Sequence, residues 1–193
     1  TGADNVALGY HALGANTTGD SNTAVGKNAL DANTTANDNT AVGYGALTAN
    51  TTGAQNTAVG KDALDANQTA HDNVAIGVGA LGVMNGGTGK NIAIGNYAGD
   101  AITTGNQNTL LGYAAGGALT DKEGVTAIGA NALLSGNGSY NTAIGVSAGT
   151  SITGNHNIAI GRNTLAGATS ANYNTAVGDY ALDAALTGDN NTA

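Results

Sequence analysis

Apolar residues in this chain come in short runs at a fixed interval. The runs are Asn5-Val-Ala-Leu-Gly9, Asn22-Thr-Ala-Val-Gly26, Asn39-Thr-Ala-Val-Gly43, Asn56-Thr-Ala-Val-Gly60, Asn73-Val-Ala-Ile-Gly77 and Asn91-Ile-Ala-Ile-Gly95. They continue as Asn108-Thr-Leu-Leu-Gly112, Val125-Thr-Ala-Ile-Gly129, Asn141-Thr-Ala-Ile-Gly145, Asn157-Ile-Ala-Ile-Gly161 and Asn174-Thr-Ala-Val-Gly178. Successive motif glycines lie 17, 17, 17, 17, 18, 17, 17, 16, 16 and 17 residues apart. Each unit reads N-T-A-V-G-x-x-A-L-x-A-N-T-T-G-x-x. Runs this short, bounded by Asn and Gly, predict strands rather than helices. The N-T-T-G segments, Asn16 to Gly19 and Asn50 to Gly53, predict turns whose glycine supplies a positive φ. Helical repeats need about 33 residues or more. The 17-residue unit therefore predicts one coil, with one or two short strands, of an all-β parallel β-solenoid or β-roll of about eleven coils. It fills residues 1–193 as a single domain, cut within a repeat at both ends.

Stacked coils place each repeat position above its copy at a rise of about 4.8 Å. Asn22, Asn39, Asn56, Asn73, Asn91 and Asn108 are then expected to form an amide ladder along the axis. Val25, Val42, Val59, Ile76, Ile94 and Leu111 form an aliphatic stripe. Adjacent strand residues point to opposite faces, and both the Ala and the Val positions are apolar. Two arrangements satisfy this. Either Ala lines the interior and the stripe is covered by another chain, or Val and Leu fill a monomeric solenoid and Ala faces out. Strands apolar on both faces are usually covered on both faces, which favours an oligomer.

The repeated N-T-A-V-G-x-x-A-L units from Asn5 to Gly178 resemble the head repeats of trimeric autotransporter adhesins, the YadA-like family. Similar repeats occur in phage tail fibres and other trimeric surface fibres. The resemblance implies a left-handed β-roll, three chains around one axis, and a place on the cell or virion surface. The chain departs from the family in its longer period and in showing no stalk or membrane anchor.

Composition narrows the function classes. Ala, Gly, Asn and Thr make up nearly two thirds of the chain, Cys, Pro, Trp and Phe are absent, and charged residues are 9% against roughly 25% in ordinary domains. A net charge of −8 with only five Lys plus Arg excludes a basic nucleic-acid surface and a polybasic membrane contact. No apolar stretch is long enough for a membrane-spanning helix. No cysteine means no disulfide framework and no thiolate metal site.

Candidate chemistry is sparse. His11, His71 and His156 lie at different repeat phases and several coils apart, so no metal or catalytic constellation is expected, and neither is a cofactor. Gly77-Val-Gly79-Ala-Leu-Gly82 matches a dinucleotide fingerprint in letters, but the motif requires a following helix, and here it is repeat background. Asp31 after Lys27 and Asp65 after Lys61 are expected to be solvated rim charges. Thr17, Thr34 and Thr51, with Thr18, Thr35, Thr52 and Thr69, form hydroxyl columns of the kind that could order ice. They decay after Thr69. Asn16, Asn33, Asn50 and Asn67 begin N-x-[ST] sequons that would line one edge as glycosylation sites, although Asn also simply suits a turn. Tyr10, Tyr44, Tyr97, Tyr113 and Tyr180 occupy the variable positions after the motif glycine, suited to contacting a sugar or a host surface.

The expected function is non-enzymatic: an extracellular fibre or adhesin-head segment, self-associating as a homotrimer and presenting repeated contacts to a host protein or glycan. A purely structural filament or phage tail fibre is the alternative, and ice binding a third.

Overall fold

The computed structural model describes residues 2–167, 170–184 and 187–193. Its described residues form eleven three-residue strands, one per coil, and no helix. They are β1 Val6–Leu8, β2 Thr23–Val25, β3 Thr40–Val42, β4 Thr57–Val59, β5 Val74–Ile76, β6 Ile92–Ile94, β7 Thr109–Leu111, β8 Thr126–Ile128, β9 Thr142–Ile144, β10 Ile158–Ile160 and β11 Thr175–Val177. All pair in parallel and in chain order, with repeat positions in register, such as Ala24 on Ala41 and Val25 on Val42. Ten steps of about 4.8 Å make a sheet about 48 Å long. The chain is a β-solenoid.

The first of the two arrangements is the one adopted. The central alanines Ala24, Ala41, Ala58, Ala75 and Ala93 are fully buried, and Val25, Val42, Val59, Ile76 and Ile94 lie on the opposite, outer face. Opposite the Ala column, Leu30, Leu47, Leu64 and Leu81 fill the interior. These leucines have φ near 51°, the left-handed region, which costs a side-chain-bearing residue about 1–2 kcal/mol. Burying each leucine returns about 1.5–3 kcal/mol, so the inward direction outweighs the strain.

Most motif asparagines do two jobs. Within its own coil, Asn39 Nδ2 donates to the Gly53 carbonyl at 2.9 Å and Asn56 Nδ2 to Ala70 at 2.9 Å, closing the turn against the strand. Between coils, Asn22 Oδ1 accepts the Asn39 backbone N–H at 3.0 Å, and Asn39 Oδ1 accepts that of Asn56 at 3.0 Å. The ladder continues through Asn73, Asn91 and Asn108 and pauses at Val125, whose N–H still bonds Asn108 Oδ1. Among the described residues no buried side-chain polar atom lacks a partner.

Two expectations need correction. The glycine of N-T-T-G does not supply positive φ: a β-carbon on Gly19 or Gly53 would lie 2.4 Å from the carbonyl oxygen of the next coil's turn, and alanine takes the same position in alternate coils, at Ala36 and Ala70. Positive φ falls instead on the motif glycines, Gly43 at 139° among them, where the chain leaves the strand. Asn33, Asn50 and Asn67 do not line an edge either. They are fully buried, with Asn33 Nδ2 donating to Asn16 Oδ1 and Ala36 O, and Asn67 Nδ2 to Asn50 Oδ1 and Ala70 O. A glycan on any of the three would require pulling its amide out of this second ladder.

Candidate functional site

The outer sheet face is a candidate surface. Its two columns are the residues flanking the buried alanines: Thr23 and Val25, Thr40 and Val42, Thr57 and Val59, Val74 and Ile76, Ile92 and Ile94, Thr109 and Leu111, and onward to Thr175 and Val177. The columns are about 7 Å apart and run the full length of the sheet. Among the described residues they stay partly or largely open: Ile92 is 42% exposed and Leu111 42%, in mid-rod. The core behind is complete without them. Scattered apolar residues on a surface need no explanation, but a contiguous strip of this length is a candidate interaction surface.

Charged and aromatic columns flank the face. Directly after the motif glycines, Tyr10, Lys27, Tyr44 and Lys61 alternate, with Lys27 Nζ 5.9 Å from the Tyr10 ring centroid and 5.8 Å from that of Tyr44. Lys61 Nζ lies 6.0 Å from the Tyr44 ring and 2.7 Å from Asp62 Oδ2. That hydrogen-bonded carboxylate raises the Lys61 pKa. Further along, Arg162 packs 5.0 Å from Tyr180 and pairs with Asp179. On the other flank, Tyr140, His156 and Tyr173 stack with centroids 5.1 and 5.0 Å apart. The Tyr140 hydroxyl donates to the Glu123 carboxylate, and this bond raises the phenol's pKa.

One cleft, about 450 Å³, opens between the fourth and sixth coils. It exists because the intervening coil carries Gly79 and Gly82 where its neighbours carry Asp62 or Tyr97 and Asp65 or Asp100. Removing one tier of side chains from two columns leaves a notch whose lining includes Val78 and Val83. Partial burial raises the pKa of Asp65, with repulsion from Asp62 adding to it, and burial likewise raises that of Asp100. Asp65 thus does not behave as a simple rim charge, and Lys61 pairs with Asp62 rather than with it. Asp31 likewise meets His11, at 3.4 Å, rather than Lys27.

The remaining candidates are separated. Ala54 N–H donates to His71 Nδ1 at 3.0 Å, while His11 and His156 stand beside tyrosines on distant coils. Among the described residues no group of three or more His, Cys, Asp or Glu is placed to hold a metal ion. Gly77, Gly79 and Gly82 follow a strand into turns and border the cleft; no helix starts there. The Thr17, Thr34 and Thr51 hydroxyls donate to carbonyls of the next coil. The alternating Tyr–Lys column and the notch are invisible to a reading of single repeats; aligning repeat positions six, seven and ten across coils is the signal that finds them.

Comparison with family models, with curated proteins and with solved structures finds no match to this chain.

Proposed function

We propose that the chain is a segment of an extracellular fibre or adhesin head, non-enzymatic, in which three copies bury their outer sheet faces around a common axis. The observation that carries this reading is the outer Val/Ile/Leu column, in register over eleven strands and superfluous to a core already closed by Ala, Leu and Asn. Three flat strips of one sequence make a self-complementary, symmetric assembly, and symmetry is the rule for homo-oligomers. The resemblance of the repeats to YadA-like heads points the same way. A rod so built leaves the Tyr–Lys column and the Tyr140–His156–Tyr173 stack on its outside, repeated for each copy. Weak contacts to a host protein or glycan then sum through multivalency.

Attachment of the labelled segment to cell and glycan-coated surfaces tests this. Binding that falls in a Tyr10→Ala/Tyr44→Ala/Tyr113→Ala variant of unchanged mass supports a presenting adhesin. An intact oligomer that attaches to nothing leaves the structural filament, or a phage tail fibre shaft.

Ice binding uses the same face in the opposite state, uncovered in water. Its favouring observation is the outward Thr23, Thr40 and Thr57 column, interrupted at Val74, Ile92 and Ile158. Thermal hysteresis in a monomeric protein would select it.

A further inference from the structure

The fifth coil, Asn73 to Lys90, is the one with the 18-residue spacing, and its extra length lies in Val83-Met-Asn-Gly-Gly-Thr-Gly89. The closing bond that Asn39, Asn56 and Asn91 make to the turns of their own coils is not made here. Asn73 Nδ2 turns to Asn56 Oδ1 and to the His71 carbonyl instead of the turn of its own coil. Within the loosened segment stands Asn85-Gly86. Asn85 is exposed, its backbone N–H is held by Thr103 O at 3.1 Å, and among the described residues neither its side-chain amide nor the Gly86 N–H has a hydrogen-bond partner. The space around Gly86 is open, the nearest atom to a β-carbon there being Thr104 Cγ2 at 3.8 Å.

We infer that Asn85 is a site of spontaneous covalent modification, deamidating through a succinimide to aspartate and isoaspartate. The Gly86 nitrogen, after losing its proton to water or hydroxide, attacks Asn85 Cγ. A Cγ–N bond forms, the Cγ–Nδ2 bond breaks and ammonia leaves. Water then adds to either ring carbonyl and opens the succinimide, so the sum is amide plus water to carboxylic acid plus ammonia. Two conditions gate the attack: an unhindered following nitrogen, which glycine provides, and an amide free to swing onto it. The chain holds an internal control in Asn137-Gly138. There Asn137 Nδ2 donates to Thr120 Oγ1 at 3.4 Å and Oδ1 accepts the Thr120 N–H at 3.4 Å, while a β-carbon on Gly138 would lie 2.0 Å from Gly154 O. Swinging that amide breaks both bonds. Each event at Asn85 adds a negative charge to a chain already at −8, and isoaspartate lengthens the backbone only where the coil already holds an extra residue.

The purified protein is incubated at neutral pH and body temperature, then digested and mapped by mass spectrometry with a separation that resolves aspartate from isoaspartate. The inference expects both products at Asn85, forming at least about tenfold faster than at Asn137, equivalent to about 1.4 kcal/mol of barrier. In Gly86→Ala, for which the structure has room, conversion at Asn85 slows at least about tenfold while the circular dichroism spectrum is unchanged. Asn85 staying an amide, Asn137 reacting as fast, or Gly86→Ala reacting at the parent rate each overturns it.

Discussion

Ile102 places its Cδ1 3.1 Å from the point where Gly99, three residues earlier, would carry a β-carbon. Most coils put Leu at the position of Gly99 and a turn or ladder residue at that of Ile102, as in Leu47 with Asn50 or Leu64 with Asn67. In the coils with Gly99, Gly116 and Gly149 the leucine is missing, and Ile102, Leu119 and Ile152 fill the space from three residues on. The interior volume is kept by exchanging which position supplies it. Glycine also removes the left-handed strain that the leucines carry, since Gly99 has φ 61°.

The exchange makes a double-mutant cycle informative. Gly99→Leu alone overpacks against Ile102 and Leu110 and should cost about 1–3 kcal/mol. Ile102→Asn alone empties the interior and should cost about 2–5 kcal/mol. Together they recreate the Leu47/Asn50 pattern, so the double variant should lose less than the sum by at least about 1 kcal/mol. Equilibrium unfolding of the four proteins measures the coupling.

Replacing a ladder asparagine with its apolar near-isostere should be severe. Asn56→Leu strips the buried Asn73 N–H of its partner and takes from the Ala70 carbonyl one of its two donors, Asn67 Nδ2 remaining. An orphaned buried N–H costs about 1–3 kcal/mol. Because a solenoid's coils touch only their neighbours, the break should also uncouple the two halves. Hydrogen exchange should show protection falling first around Asn56 and Asn73, with the distal coils retained.

Gly43→Ala should fail for two reasons that act together. Its φ is 139°, and an added β-carbon would lie 2.4 Å from Gly60 O, a backbone atom of the next coil that cannot move aside. Gly86→Ala meets neither obstacle. Side-by-side thermal melts should show a large drop for the first and little change for the second.

Regular features were legible in the residues, and compensated ones were not. The eleven strands and the Asn22–Asn108 column follow from identical letters at identical spacing, because stacking in register turns repetition directly into contact. The inward or outward sense of Ala24 and Val25 stayed open, since T-A-V alternates equally well either way. It was settled by Leu30, whose left-handed backbone turns it inward opposite Ala24. The Gly99/Ile102 exchange was hidden, because one column's loss is made good by another column three residues away. Asn33 and Asn50 looked like surface turn residues for a related reason: nothing in a polar side chain says it lies inside, and only their stacked partners make burial affordable. Asp65 read as a solvated rim charge, and its partial burial beside the notch at Gly79 and Gly82 shows only when coils 17 residues apart are compared.

Acid should relieve the cleft carboxylates. Burial raises the folded-state pKa of Asp65 and Asp100, so their ionisation penalty is fully present above that value and is shed as pH falls toward the unfolded carboxylate's range. Asp65→Asn and Asp100→Asn should therefore raise the Tm at pH 7, with the gain shrinking as the pH is lowered through the acid range. Melts of the three proteins across that range test the sign.

The claim that the outer Val/Ile/Leu face is a chain interface is tested most directly by the mass of the folded protein in solution, from light scattering after size exclusion. The account predicts a stable particle of three times 18.5 kDa. A folded monomer of 18.5 kDa, with Ile76, Ile94 and Leu111 left facing water, would contradict it.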